Sequence, residues 1–137
     1  MPLQLDIVTP EKKIFSDLVD NVYLPGADGE MGILPQHAGL VTALKPGELR
    51  YAYHGTTQTL AIGSGFAEVT QTKVIVLTDS ALGESEIDED HAEAAVKRAQ
   101  ERIATIDHDL NSEELAHLQG IIAQSTAQLH FKRKYRH

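Results

Sequence analysis

GADGEMGILPQHAGLVTALKPGEL, residues Gly26 to Leu49, sets Gly26, Gly29, Gly32, Gly39 and Gly47 with Pro35 and Pro46 around short apolar runs. Glycine enters left-handed or tightly turned backbone without steric cost, and proline fixes φ and ends hydrogen-bonded ladders. The stretch therefore reads as sharp turns between very short strands. On either side the pattern is that of β-structure. Leu3, Leu5 and Ile7 alternate with polar neighbours, and so do Leu49, Tyr51 and Tyr53, a period of two that buries one face of a strand. Val74-Ile75-Val76-Leu77 is apolar at both parities, which predicts a strand in the middle of a packed sheet. Turn signals recur at Thr9-Pro10, Pro25-Gly26, Pro46-Gly47, His54-Gly55 and Gly63-Ser64-Gly65. Many short strands with frequent turns predict a sandwich or flattened barrel for residues 1–83.

Residues 84–137 change period. Ala92, Ala95, Val96, Ala99, Ile103 and Ile106 follow helical spacing, as do Leu115, Leu118, Ile122 and Leu129. Ser85 or Asp88 is placed to cap the first helix, and Asn111 with Glu114 has the spacing of a capping box for the second. Asp107–Leu110 has room only for a reversal, so the region reads as an antiparallel helical hairpin. Half the first apolar stripe is alanine, and Gly120 interrupts the second helix. Small residues allow close approach but remove little apolar area from water, about 0.8 kcal/mol per methylene-sized group. The pattern predicts a hairpin whose helices grip each other weakly.

Composition narrows the chemistry. A net charge of −8 argues against a general nucleic-acid binder. The absence of cysteine removes disulfides and thiolate chemistry. No basic-then-apolar leader precedes Leu3, so no secretory signal is expected, and runs such as Val74–Leu77 fall far short of the ~20 residues that span a bilayer. Gly63-Ser64-Gly65 lacks the surroundings of a nucleophile elbow, and no Gly-Lys-Ser/Thr follows the spaced glycines. The seven histidines show no helical metal-binding spacing. Charge is unevenly placed: Glu84, Glu86, Asp88, Glu89 and Asp90 form an acidic cluster, while Lys132, Arg133, Lys134 and Arg136 form a basic tail. Both match the helix dipole, and the tail exceeds what one helix terminus needs.

Residue order is more specific than composition. Gly29-Glu-Met-Gly-Ile-Leu-Pro-Gln-His-Ala38, then Leu40-Val-Thr-Ala-Leu-Lys-Pro-Gly47, closely resembles the epsilon subunits of F-type ATP synthases. The likeness runs the length of the chain and includes the Leu3–Phe15 strand pair and the Ile87-Asp88…Lys97-Arg98-Ala99 helix. Gln36 and Gly39 stand where the family most often has glycine and proline. The resemblance implies a ten-stranded N-terminal β-sandwich (1–83) that docks on the gamma subunit and the c-subunit ring. The C-terminal two-helix hairpin (84–137) would then be regulatory. It further implies a rotor subunit without its own catalytic site. Such a subunit lies peripherally on the cytoplasmic side of the bacterial plasma membrane and touches the bilayer only through its complex. In that family the hairpin extends toward the alpha and beta catalytic subunits and restrains ATP hydrolysis.

The same resemblance assigns candidate residues. Glu30 falls where the family presents an acidic contact to the c-subunit loops, and His37, in the turn-rich stretch, is a second candidate for ring or gamma contact. Some members bind ATP through an Ile/Leu-Asp-x-x-Arg-Ala motif. The corresponding residues are Asp88 and His91, with histidine in the arginine position, and Arg98 as a second cation. Only weak regulatory ATP binding is expected from that substitution, and no resident cofactor or metal. Lys132, Arg133, Lys134 and Arg136 would reach an acidic segment of the beta subunits. The competing reading is a stand-alone β-sandwich sensor with a helical tail, for which no co-purification with gamma is expected.

Overall fold

Alternation carries Leu3, Leu5 and Ile7 into the interior of β1 (Leu3–Val8), where all three are fully buried. The chain turns at Thr9 and returns as β2 (Lys13–Val19), antiparallel, with Leu3 opposite Val19. Eight further strands follow: β3 (Val22–Gly26), β4 (Gly29–Ile33), β5 (Leu40–Leu44), β6 (Gly47–Tyr53), β7 (Thr56–Ile62), β8 (Gly65–Val69), β9 (Lys73–Thr78) and β10 (Ala81–Leu82). This computed structural model describes residues 2–36 and 38–136. The chain divides into two compact units, Met1–Gly83 and Glu84–His137.

The first unit is one ten-stranded sheet in the order β10-β7-β6-β3-β5-β8-β9-β1-β2, with β4 paired to β3. It curls until its far strand approaches β6. Phe15 of β2 stacks on Tyr51 and Tyr53 of β6, with ring centroids 4.6 and 5.2 Å away, and the Tyr53 hydroxyl donates to Asp17 at 2.5 Å. The expected flattened barrel is the fold that forms. Its core is Leu3, Leu5, Ile7, Val22, Leu24, Ile33, Leu49, Val74 and Val76, all fully buried. The neighbours of β9 are β8, antiparallel, and β1, parallel, with Leu5 beside Val74 and Ile7 beside Val76. On the outer side of β1, Asp6 accepts from Ser16 (2.6 Å) and Gln4 (3.0 Å) and pairs with Lys73 (3.2 Å). Those three donors, Ser16 first, hold its carboxyl down to about 2.

Two turns show why particular residues stand where they do. Between β6 and β7, His54 (φ 51°) and Gly55 (φ 76°) form a two-residue reversal with both residues left-handed, the conformation that matches strand twist. Gln36 also sits at φ 65°, a region that costs a non-glycine residue roughly 1–2 kcal/mol.

The second unit starts with a 3-10 turn (Glu84–Glu86) and continues as α1 (Glu89–Thr105) and α2 (Ser112–Tyr135). Asp88 caps α1, its carboxylate accepting from the His91 N–H at 3.1 Å. The capping box expected at α2 does not form: Asn111 makes no side-chain cap. Glu114 turns instead to Arg102 of α1 at 2.6 Å, a charge-assisted bond that outcompetes a neutral backbone donor. Asp107 organises the reversal, accepting from the N–H groups of Asp109 and Leu110. The burial is uneven between the helices, and α2 supplies the larger side chains, Leu118, Leu129 and Phe131. α1 buries only Ala92 and Ala99, and a cleft of about 230 Å³ opens among Ala95, Arg98, Ala99, Leu118 and Ile121.

Candidate functional site

The outer face of β5, β8 and β9 is bare. In register, Phe66 lies opposite both Ala43 and Leu77, while Val41 lies opposite Glu68, which faces Ile75. Leu44, Ala67, Val69, Val74 and Val76 point inward, so these partners point out. Val41 is 71% exposed, Phe66 59% and Leu77 53%. Val74–Leu77 lies in the middle of the sheet, as expected, between β8 and β1. β9 is central in the sheet, but only its inner face is covered within the described residues. Sequence showed this only as an apolar run of both parities, which does not reveal whether the chain itself supplies the second layer.

The same face ends in a depression of about 360 Å³, with Val8, Pro10, Ser64, Gly65, Leu77 and Thr78 among its lining. Gly65 makes it possible. A Cβ there would lie 1.9 Å from the Leu77 carbonyl oxygen and 2.8 Å from the Thr78 Cα, so only glycine lets β8 begin so close to β9. Asp79 also borders this depression, and burial raises its carboxyl above the ordinary value. Apolar surface beside a pocket of this kind is what a partner's side chain fills.

Glu30 lies on β4, just after the turn that Gly29 makes at φ 136°. Its carboxylate pairs with Arg50 of β6 at 3.0 Å, leaving the Glu30 side chain 54% exposed. The Arg50 guanidinium also sits 4.8 Å from the centroid of the Tyr23 ring. Glu30 is therefore a held acid, oriented by a cation, with one face to solvent. His37 lies outside the described residues.

The nucleotide candidates are not gathered into one cluster. Asp88 is occupied as the α1 cap, and His91 is exposed in the first turn. Arg98 lines the inter-helix cleft, about 10 Å further along the helix from His91 at 1.5 Å per residue.

The basic tail is engaged with the acidic cluster. Lys132 pairs with Glu84 at 3.0 Å and donates to the Glu84 carbonyl at 3.1 Å. Arg133 bridges Glu89 (2.8 Å) and Glu93 (2.6 Å), and Arg136 reaches Glu89 at 2.9 Å. Lys134 packs over the Tyr135 ring, 5.1 Å from its centroid. The hydrogen bond from Arg133, with the neighbouring cations, holds the Glu89 carboxyl below the ordinary value. Each cluster was legible in the sequence, but their mutual pairing across the length of the hairpin was not.

A curled sandwich with a bare outer face, followed by a hairpin laced by ions at its open end, defines a sandwich-and-hairpin protein. Residues 2–84 match the family described as "ATP synthase, Delta/Epsilon chain, beta-sandwich domain". The ATP synthase epsilon chain of Desulforamulus reducens is 51% identical over 100 residues, covering 73% of this chain and 76% of that one. That of Herpetosiphon aurantiacus is 42% identical over 129 residues, covering 94% and 93%. Among solved structures, a chain of the Euglena gracilis mitochondrial ATP synthase (OSCP/F1/c-ring) superposes with TM-score 0.75 at 25% identity, covering 98% of this chain and 82% of that one. A chain of the Tetrahymena thermophila mitochondrial ATP synthase central stalk and c-ring shares the fold, with TM-score 0.62 at 10% identity, covering 94% and 97%. The chain belongs to the ATP synthase epsilon-chain family. Among the described residues no helix is long and apolar enough to cross a membrane.

Proposed function

We propose that this protein is a rotor subunit without catalytic chemistry of its own, in which the sandwich couples and the hairpin regulates. The observation that carries the reading is the bare outer face. A strand apolar at both parities, with Leu77, Phe66 and Val41 left exposed, is a sheet awaiting its second layer. On this reading the gamma subunit supplies that layer, a side chain of gamma enters the depression at Gly65, and Glu30 presents its outward oxygen to the loops of the c-subunit ring. His37 belongs to the same proposed ring and gamma contact. The small side chains that α1 buries, Ala92 and Ala99, support a hairpin that opens toward the alpha and beta subunits and slows ATP hydrolysis there. The complex would hold the protein at the cytoplasmic side of the bacterial plasma membrane.

Regulatory ATP is a minor part of this function. Asp88 already serves the helix and His91 lacks the fixed fork of an arginine, so binding at Asp88, His91 and Arg98 should be weak and should strengthen in His91→Arg.

The testing experiment is reconstitution with the remaining F1 and membrane subunits. Phe66→Ser/Leu77→Ser should lose co-purification with gamma while keeping its circular dichroism spectrum. Truncation after Leu82 should retain gamma binding and ATP synthesis while ATP hydrolysis rises. Full gamma binding by the double variant would refute the docking assignment. Unchanged hydrolysis in the truncated complex would refute the regulatory one.

A further inference from the structure

The ion pairs at the open end of the hairpin join segments far apart in sequence. Lys132 reaches Glu84 across 48 residues, and Arg136 reaches Glu89 across 47. Behind them α1 buries only two alanines beside a cleft of about 230 Å³, while Ile87, Leu129 and Phe131 are buried close to the ion pairs. The other inter-helix ion pair, Arg102 to Glu114, lies beside the loop, where the connection already holds the helices together. Closure at the far end therefore combines a small apolar contact with a cluster of ion pairs. The pair Lys132–Glu84 is the least exposed, at 20% and 26% of the side chains, and Glu89 accepts from two guanidinium groups at once.

We propose that the acidic first turns of α1 are an internal decoy for the basic end of α2, keeping the hairpin shut and withholding its cations from an acidic surface on a partner. The inference rests on the regulatory reading of the hairpin given above. The Arg133 guanidinium engages Glu89 through Nε and Glu93 through Nη2, so use of those groups elsewhere is an exchange of one carboxylate set for another. Exchange of like for like is nearly balanced, which makes the equilibrium responsive to small biases. The decoy sets the threshold that a partner must exceed.

The chain lacks cysteine, so paired spin labels can be introduced cleanly. Labels at Ser85→Cys and His130→Cys report the open end; labels at Ala104→Cys and Glu113→Cys report the loop end. E89Q/E93Q removes three ion pairs. It should shift the ratio of open to closed hairpins by about tenfold at low salt, from two- to threefold per surface pair. The loop-end distance should stay constant. D90N/E101Q, with the same charge change on carboxylates outside these contacts, should leave both distances unchanged. R133Q/R136Q breaks the same three pairs from the other side and should open the hairpin equally. In the assembled synthase the two opening variants should part: hydrolysis falls in E89Q/E93Q, whose cations are released for a partner, and rises in R133Q/R136Q, which has lost them. An unchanged open-end distance in E89Q/E93Q, or equal opening in D90N/E101Q, overturns the decoy. Opening of both variants with unchanged hydrolysis leaves the decoy standing and refutes the regulatory reading instead.

Discussion

Replacing Asp6 by asparagine isolates one charged network in the sheet. The Asp6 carboxylate accepts from Ser16 and Gln4 and faces Lys73 at 3.2 Å, and it is 9% exposed. These donors hold its carboxyl at about 2 in place of 3.8. A folded-state value below the unfolded one means stability that is present above pH 4 and lost as pH falls through 2. At neutral pH the contribution is about 2 kcal/mol, and at pH 3 roughly half of that remains. The asparagine amide would present a donor toward Lys73 and carries no charge to titrate. D6N should therefore be about 2 kcal/mol less stable than the parent at pH 7 and about 1 kcal/mol less stable at pH 3. Urea unfolding followed by tyrosine fluorescence measures this, since Tyr23, Tyr51 and Tyr53 lie in the sheet. A stability difference that stays constant from pH 7 to pH 3 would show that the carboxylate's charge is not what the network stabilises.

Gln36→Gly relieves a left-handed residue at φ 65° and should raise the midpoint of thermal unfolding, with a gain of about 1 kcal/mol; a lower midpoint would mean that side-chain contacts of Gln36 outweigh the strain. Gly65→Ala forces a Cβ to within 1.9 Å of a backbone oxygen, and a loss of at least ~2 kcal/mol in urea unfolding is expected. Gly120→Ala places its methyl group in open space and should stabilise α2 by about 1 kcal/mol, seen as increased helical protection in hydrogen exchange. Glu30→Lys sets a cation beside Arg50, 3.0 Å from the position of the present carboxylate oxygen. ATP-driven proton pumping should weaken while assembly persists, and unaltered pumping would count against a ring contact.

Local chemistry was the legible part of this chain. The turn at His54-Gly55, the inward alternation of Leu3, Leu5 and Ile7, and a cap at Ser85 or Asp88 are each written in a few consecutive residues; the turn and the alternation form as expected, and of the two caps it is Asp88 that forms. What escaped is long-range. Glu114 has the spacing for a capping box, but nothing near it in sequence discloses Arg102 as the stronger partner. Val74–Leu77 announces two apolar faces without saying that only one is covered by the described chain. The basic tail reads as surplus charge until Glu84, Glu89 and Glu93 are seen beside it. The candidate site divides similarly, since Glu30 is recognisable by motif while its orientation by Arg50 and Tyr23 comes from strand register.

The parallel pairing of β1 with β9 fixes an order of assembly. On one side β1 has a neighbour, β9, that is synthesised only after seven intervening strands have been made. Until Thr78 has emerged, the interior face of β1 waits with its Leu3, Leu5 and Ile7 side chains unsheltered on that side. Closure of so long a loop makes the sandwich a slow, late-locking body. The hairpin, whose helices are joined through a short reversal, can form as soon as it is made. During synthesis there is thus an interval in which β1 exists without the strand that completes its pairing.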